Sequence, residues 1–311
     1  MVMKYNNKYY EKLDRIQENI KTNEPELAQK MAAELYEDYP NKEVNRLLVH
    51  AASETGDYLA VISYLSDYPE QYQQNEAMTV DLVKAAQDRD DFISARKILY
   101  LIDPREEMTQ VWHQLTKREA DYTISHADTI AKTAKAFAHL GGKKHELQPG
   151  ELVKANSLPL DSYVTSAKLV LQDPDVIKLI KTELLMTLKG IGETEIIHFQ
   201  DLYNRSYELN LGELPPNPVT DTVNTIFKEV YNAVGNQDPI QLQMLQQTIM
   251  MYAVYLYPFI DKKIDNPINF AHVLLSHLNG MDDQDVIAEV DGGADMLPLI
   301  KKLDQVITND L

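Results

Sequence analysis

The sequence predicts an all-α chain: a stack of helix–turn–helix repeats, then further helices carrying one small β-hairpin. Three observations predict it. Three N-terminal stretches align on a period of 33 to 34 residues, with Asn23, Gly56 and Asp90 at equivalent turn positions. Apolar residues recur at 3.6-residue spacing on both sides of each turn. Downstream, proline and glycine punctuate the periodic segments.

The shared register goes beyond the turns. Five residues after each turn stand Ala28, Val61 and Ala95, and nine after stand Ala32, Leu65 and Leu99. Seven residues before stand Ile16, Val49 and Val83. A period near 34 residues belongs to stacked helical hairpins of the tetratricopeptide kind. Such hairpins cannot bury their apolar faces alone, so the expectation is a superhelix with a concave surface.

Each unit reads in order. In the first, a helix over about Tyr9 to Ile20 precedes Asn23-Glu24-Pro25, and Pro25 suits the first turn of the returning helix. That helix carries Leu27, Ala28, Met31, Ala32 and Leu35 on one face, and Pro40 stops it. In the second, Val44, Leu47, Leu48, Ala51 and Ala52 make the first stripe. Gly56 is free to take the left-handed conformation that ends a helix. Tyr58, Val61, Leu65 and Tyr68 make the return stripe, ended by Pro69. In the third, Met78, Leu82, Ala85 and Ala86 share a face, and Phe92, Ala95, Leu99 and Ile102 line the return before Asp103-Pro104. Ala28, Ala32, Ala52, Ala86 and Ala95 let neighbouring helices approach closely. Tyr36, Tyr39, Tyr64, Tyr68 and Tyr100 sit toward the ends of second helices, where rings fill gaps between units.

After Pro104 the period fades. Glu106 to Leu140 reads as one long helix or two nearly collinear ones, with Val111, Leu115, Ile124, Ile130, Ala134 and Phe137 as core candidates and Trp112 as packing. Lys143 to Leu158 reads as looser chain. Helices follow at about Leu160 to Leu171 and Pro174 to Lys189, the second capped by Asp173. Tyr207, Leu209 and Leu211 then alternate with polar residues, a period of two that predicts a β-hairpin with Ile196, Ile197, Phe199, Leu202 and Tyr203 across Asn204-Arg205-Ser206. Helices are expected at Thr220 to Val234, from Asp238-Pro239 to Pro258, from Asn266-Pro267 onward, and at Met296 to Ile307. The expected divisions are 1–104 for three repeat units, 105–192 for a long helix and a helix pair, 193–214 for the hairpin, and 215–311 for a C-terminal helical segment.

Composition narrows the function classes. There is no cysteine, which removes disulfides, thiolate catalysis and thiolate metal sites. The formal net charge of −18 disfavours nucleic acid and anionic membrane surfaces as partners. The longest apolar run, Ile249 to Tyr257, is too short to span a bilayer, and Met1 to Leu13 carries no signal-type apolar core. A cytoplasmic setting is the expectation.

His113, His126 and His139 are thirteen apart, and each is turned about 220° from the last on a helix. They cannot share a face, and His272 and His277 are also poorly spaced for joint ligation. Asp282, Asp283, Asp285, Asp291 and Asp295 lack calcium-loop spacing and read as a charged loop around helix ends. Gly141-Gly142-Lys143-Lys144 lacks the strand and spacing of a phosphate loop and reads as a helix stop. No catalytic residue, metal site or cofactor is expected.

Three runs carry a family resemblance: ISHADTIAKTAKAFAHLGG from Ile124, LQDPDVIKLIKTELLMTLKGIG from Leu171, and MYAVYLYPFID from Met251, with the repeat turn Gly56-Asp57-Tyr58. The chain resembles the uncharacterised tetratricopeptide-repeat proteins of low-GC Gram-positive bacteria and mycoplasmas. The resemblance implies a helical fold and supplies no activity. It also implies that the first helix of each unit lines a groove. The groove positions are then Gln17, Arg46, His50, Ser53, Lys84 and Gln87. Arg46 and Lys84 could grip a peptide carboxylate through charge-assisted hydrogen bonds. Without a partner, the same six are solvated polar residues. The first reading is a non-enzymatic protein that binds a peptide or protein in a concave groove. The alternatives are a regulatory peptide receptor and an enzyme whose site is assembled from distant residues.

Overall fold

The computed structural model describes residues 7–235 and 238–310. Among these residues are eighteen α-helices and one two-stranded antiparallel sheet. They divide into two compact units. The first holds the described residues up to Lys135, with Val153–Thr165 and Gly190–Gly192; the second holds Ala136–Leu152, Ser166–Lys189 and the described residues from Glu193 on.

The first unit begins with three helical hairpins. They are α1 (Asn7–Lys21) with α2 (Pro25–Asp38), α3 (Lys42–Thr55) with α4 (Tyr58–Leu65), and α6 (Glu76–Asp88) with α7 (Phe92–Ile102). A short α5 (Pro69–Gln73) links the second hairpin to the third. Pro69 therefore opens a helical turn as well as ending the stripe before it, which fits its position at N1.

The three hairpin turns are built alike. Asn23, Gly56 and Asp90 all take left-handed backbone, at φ 61°, 78° and 55°. The following residue donates its N–H back five positions each time: Glu24 to Asn19, Asp57 to Ala52, Asp91 to Ala86, at 2.8, 2.9 and 3.0 Å. This is the Schellman closure of a helix C-terminus. Asp57 and Asp91 then cap the next helix, accepting from the N–H of Ala60 and Ser94.

The aligned apolar positions are the core. Ile16, Val49, Val83, Ala28, Val61, Ala95, Ala32, Leu65 and Leu99 are all buried. With alanine at close-approach points, α1 packs on α2 and α3, α3 on α4 and α6, and α4 on α7. Leu27, placed on the apolar face of α2 by its spacing, is instead 46% exposed. Tyrosines fill the joints: Tyr36 meets Tyr64 edge to face with centroids 5.6 Å apart, and Tyr9 meets Tyr39 at 5.3 Å.

Beyond the hairpins come α8 (Thr109–Ser125) and α9 (Ala127–Ala138), separated at His126. Val111, Leu115, Ile130 and Phe137 are buried, Ala134 is half-buried, and Ile124 is 83% exposed, against its expected core role. Ile124 lies in the last turn before the break, where Tyr122 takes the inward direction and packs on Phe92.

Two expectations for the next stretch fail. Lys143 to Leu158 is not loose chain: it contains α10 (Gln148–Ala155), with Pro149 and Gly150 in its first turn. Gln148 explains the order, since its fully buried amide donates to the Asp175 carbonyl and accepts from the Ile177 N–H. After α11 (Leu160–Gln172), α12 (Lys178–Gly190) starts at Lys178 and not at Pro174. Asp173 spends its carboxylate on the Asp175 N–H and holds a turn instead of a cap.

In the second unit β1 (Ile196–Gln200) pairs with β2 (Ser206–Asn210), with Ile197 opposite Leu209 and Phe199 opposite Tyr207. Phe199 and Tyr207 pack on Phe259, and buried Leu202 carries the turn into the core. That core is made by α13 (Asp221–Val234), α14 (Pro239–Leu256), α15 (Ile260–Lys263), α16 (Pro267–Leu278), α17 (Asp283–Glu289) and α18 (Gly293–Asp310). The acidic stretch expected as loop forms α17, with Asp282 accepting from the Gln284 N–H and three acids favouring the helix N-terminus. No helix among the described residues is long and apolar enough to cross a membrane.

Candidate functional site

A cleft of about 750 Å³ runs across α1, α3 and α6, the first helices of the three hairpins. These are the outgoing helices of their hairpins, and residues at the C-terminal ends of all three, Lys21, Glu54 and Asp88, reach the same cleft. Their inner faces are spent on the core, so the opposite faces supply the cleft wall.

The repeat sets which side chains meet there. Gln17, His50 and Lys84 each stand six residues before their turn, and all three line the cleft. Lys21, Glu54 and Asp88 each stand two residues before it, and they also line the cleft. Helices in one register place such triples side by side as rungs. Arg46 stands one turn below the first rung, with Asp81 facing from α6.

Five of the six positions expected from the sequence thus come together: Gln17, Arg46, His50, Ser53 and Lys84. Gln87 does not line the cleft. It is half-buried, and its amide nitrogen is enclosed without a hydrogen-bond partner. Ser53 is 4% exposed, whereas Arg46, His50 and Lys84 are exposed. Among the described residues, neither Arg46 nor Lys84 makes a hydrogen bond or ion pair within the protein.

The floor is apolar and held by a buried amide. Ile20, Leu47, Val49, Tyr72 and Leu82 supply it. Tyr72 is 1% exposed, and its hydroxyl lies 3.4 Å from the side-chain oxygen of Asn45. Burial pushes the Tyr72 phenol up, and the nearby Arg46 charge opposes that shift. Asn45, wholly buried, also accepts from Gln71 at 2.9 Å and donates to the Tyr64 carbonyl at 2.7 Å. The asparagine thereby fixes α5 and the end of α4 against α3. Nothing in the spacing of Asn45 marks it, since its partners lie 19 to 27 residues away.

A second cleft of about 750 Å³ lies around Ile102 to Gln110. Its carboxylate, Asp103, accepts from the Glu107 and Met108 N–H groups and from the Trp112 indole at 3.0 Å. Those bonds hold the start of α8, so Asp103 is committed to structure.

Three other polar groupings escape sequence reasoning. Arg96 and Glu119 form a buried ion pair between α7 and α8. Asp304 joins the Tyr252 hydroxyl on one oxygen and His277 Nε2, at 3.1 Å, on the other. Lys181 is wholly buried with its ammonium unpartnered. Burial pushes it down to about 7, and Lys178 beside it acts in the same direction. Among the described residues, no three histidine or acidic side chains gather as metal ligands.

No protein family, curated protein or solved structure matches this chain.

Proposed function

We propose that the three N-terminal hairpins are tetratricopeptide-like units, and that the chain is a non-enzymatic protein binding a peptide or protein segment in the cleft on α1, α3 and α6. The single observation carrying this reading is an apolar floor edged by cations that have no partner of their own. An extended chain offers what such a surface lacks: apolar side chains for the floor and carbonyl or carboxylate oxygens for Arg46 and Lys84. The shared left-handed closure of the three turns and the buried small residues support the repeat assignment. Selection from a peptide-display library tests it, comparing the wild type with Arg46→Glu/Lys84→Glu. Selected peptides should lose at least about tenfold in affinity for the double variant. Peptides bound equally by both proteins, or no enrichment at all, would end the reading.

A further inference from the structure

The cleft has a direction along its length. Its basic part lies between α3 and α6, where Arg46 and Lys84 project without ion-pair partners, opposed by Asp81 alone. Its acidic part lies between the same helices nearer their ends, at Glu54 and Asp88, with Lys21 beside them on α1. Glu54 is one residue from the end of α3, and Asp88 is the last residue of α6. The negative ends of two parallel helix dipoles add to the carboxylates there. Arg46 lies nearer the positive end of α3, and Lys84 stands one turn before Asp88 on α6.

The lining charges cancel, three cations (Lys21, Arg46, Lys84) against three acids (Glu54, Asp81, Asp88), in a chain of net charge −18. Such a cleft does not attract a polyanion or a polycation. It attracts a dipole. Six residues separate the level midway between Arg46 and Lys84 from the level of Glu54 and Asp88, a rise of about 9 Å. An extended peptide spans that distance in about three residues.

Resting on the peptide-binding reading above, we infer that the cleft takes a short apolar peptide of about three residues with both termini free. Its carboxylate lies between Arg46 and Lys84, and its ammonium lies at Glu54 and Asp88. Its side chains cover Leu47, Tyr72 and Leu82. The peptide runs antiparallel to α3.

The test uses the full chain and pooled tripeptides and tetrapeptides of apolar residues. Four pools are compared: both ends free, C-terminal amide, N-terminal acetyl, and both ends blocked. Retention on ultrafiltration is read by mass spectrometry. The free pool should be retained about tenfold better than either singly blocked pool. Arg46→Ala/Lys84→Ala should erase the difference between acid and amide. Glu54→Gln/Asp88→Asn should erase the difference between amine and acetyl. Circular dichroism confirms that both variants are folded. Blocked pools retained as well as the free pool, with that retention lost in Arg46→Glu/Lys84→Glu, would overturn the termini assignment and leave the groove a peptide site. No retention of any pool, with enrichment of longer displayed peptides, would overturn it likewise. Failure of both short and displayed peptides would overturn the peptide reading itself.

Discussion

The Arg96 guanidinium and the Glu119 carboxylate meet through two hydrogen bonds of 2.7 Å each, with both side chains at or below 9% exposure. The pair joins α7 to α8, at the point where the hairpin repeat gives way to a different helix arrangement. Two desolvated charges hold each other there, and neither can be removed alone without leaving its partner buried and unmatched. Glu119→Ala should cost about 3–5 kcal/mol. Replacing both residues with apolar ones of similar volume should cost much less. Trp112, the only tryptophan, lies on α8 and reports the loss directly by fluorescence in urea titrations.

Lys181 should make the second unit more stable in alkaline than in neutral solution. Its ordinary value of 10.5 is lowered to about 7 by burial. Between those values the unfolded chain binds the proton and the folded chain does not. Stability therefore rises with pH across that window, and below about 7 the full penalty is present. Lys181→Met should raise stability at neutral pH by on the order of a few kcal/mol and flatten that slope. Urea midpoints followed by circular dichroism at several pH values check both.

Asn45→Leu should cost about 2–3 kcal/mol, because it strips partners from Gln71, Tyr72 and the Tyr64 carbonyl together. It should also weaken peptide binding, since Tyr72 forms part of the cleft floor. Tyr72→Phe is the control. It keeps the ring and loses one long hydrogen bond, so both effects should be small.

Gly56→Ala should cost about 1–2 kcal/mol, since φ is +78° there and an added Cβ would stand 3.0 Å from the Arg89 guanidinium. Arg89 donates to the Glu54 carbonyl at 2.6 Å and cannot withdraw freely. A shift in the thermal midpoint is the measurement. Unchanged stability would mean that the turn relaxes at no cost.

Local chemistry wrote much of this into the sequence. The spacing of Asn23, Gly56 and Asp90 foretold three turns, and glycine foretold the left-handed backbone at Gly56, while the same conformation at Asn23 and Asp90 came only with the structure. Period-two alternation around Leu209 foretold the hairpin, since one face of a strand pair is buried and the other is not. Of the groove positions that the resemblance implied on the first helices, Gln17, Arg46, His50, Ser53 and Lys84 line the cleft and Gln87 does not, while Lys21, Glu54 and Asp88 line it without having been expected there. Helix existence and apolar faces follow from neighbours within a few residues, and those neighbours are legible.

Partners distant along the chain were decided only in the folded molecule. Gln148 organises α10 through residues 27 and 29 positions away, so Pro149 and Gly150 looked like loop. Ile124 has the hydropathy of a core residue, but nine residues after Leu115 it falls about 180° round α8, on the outer face, once that helix is seen to run unbroken to Ser125. Gln87 sits at the same repeat position as Ser53, yet its surroundings enclose it and keep it from the cleft. Arg96 with Glu119, and unpartnered Lys181, show the same division. Burial of a charge depends on which segments pack over it, and no pattern within one segment encodes that.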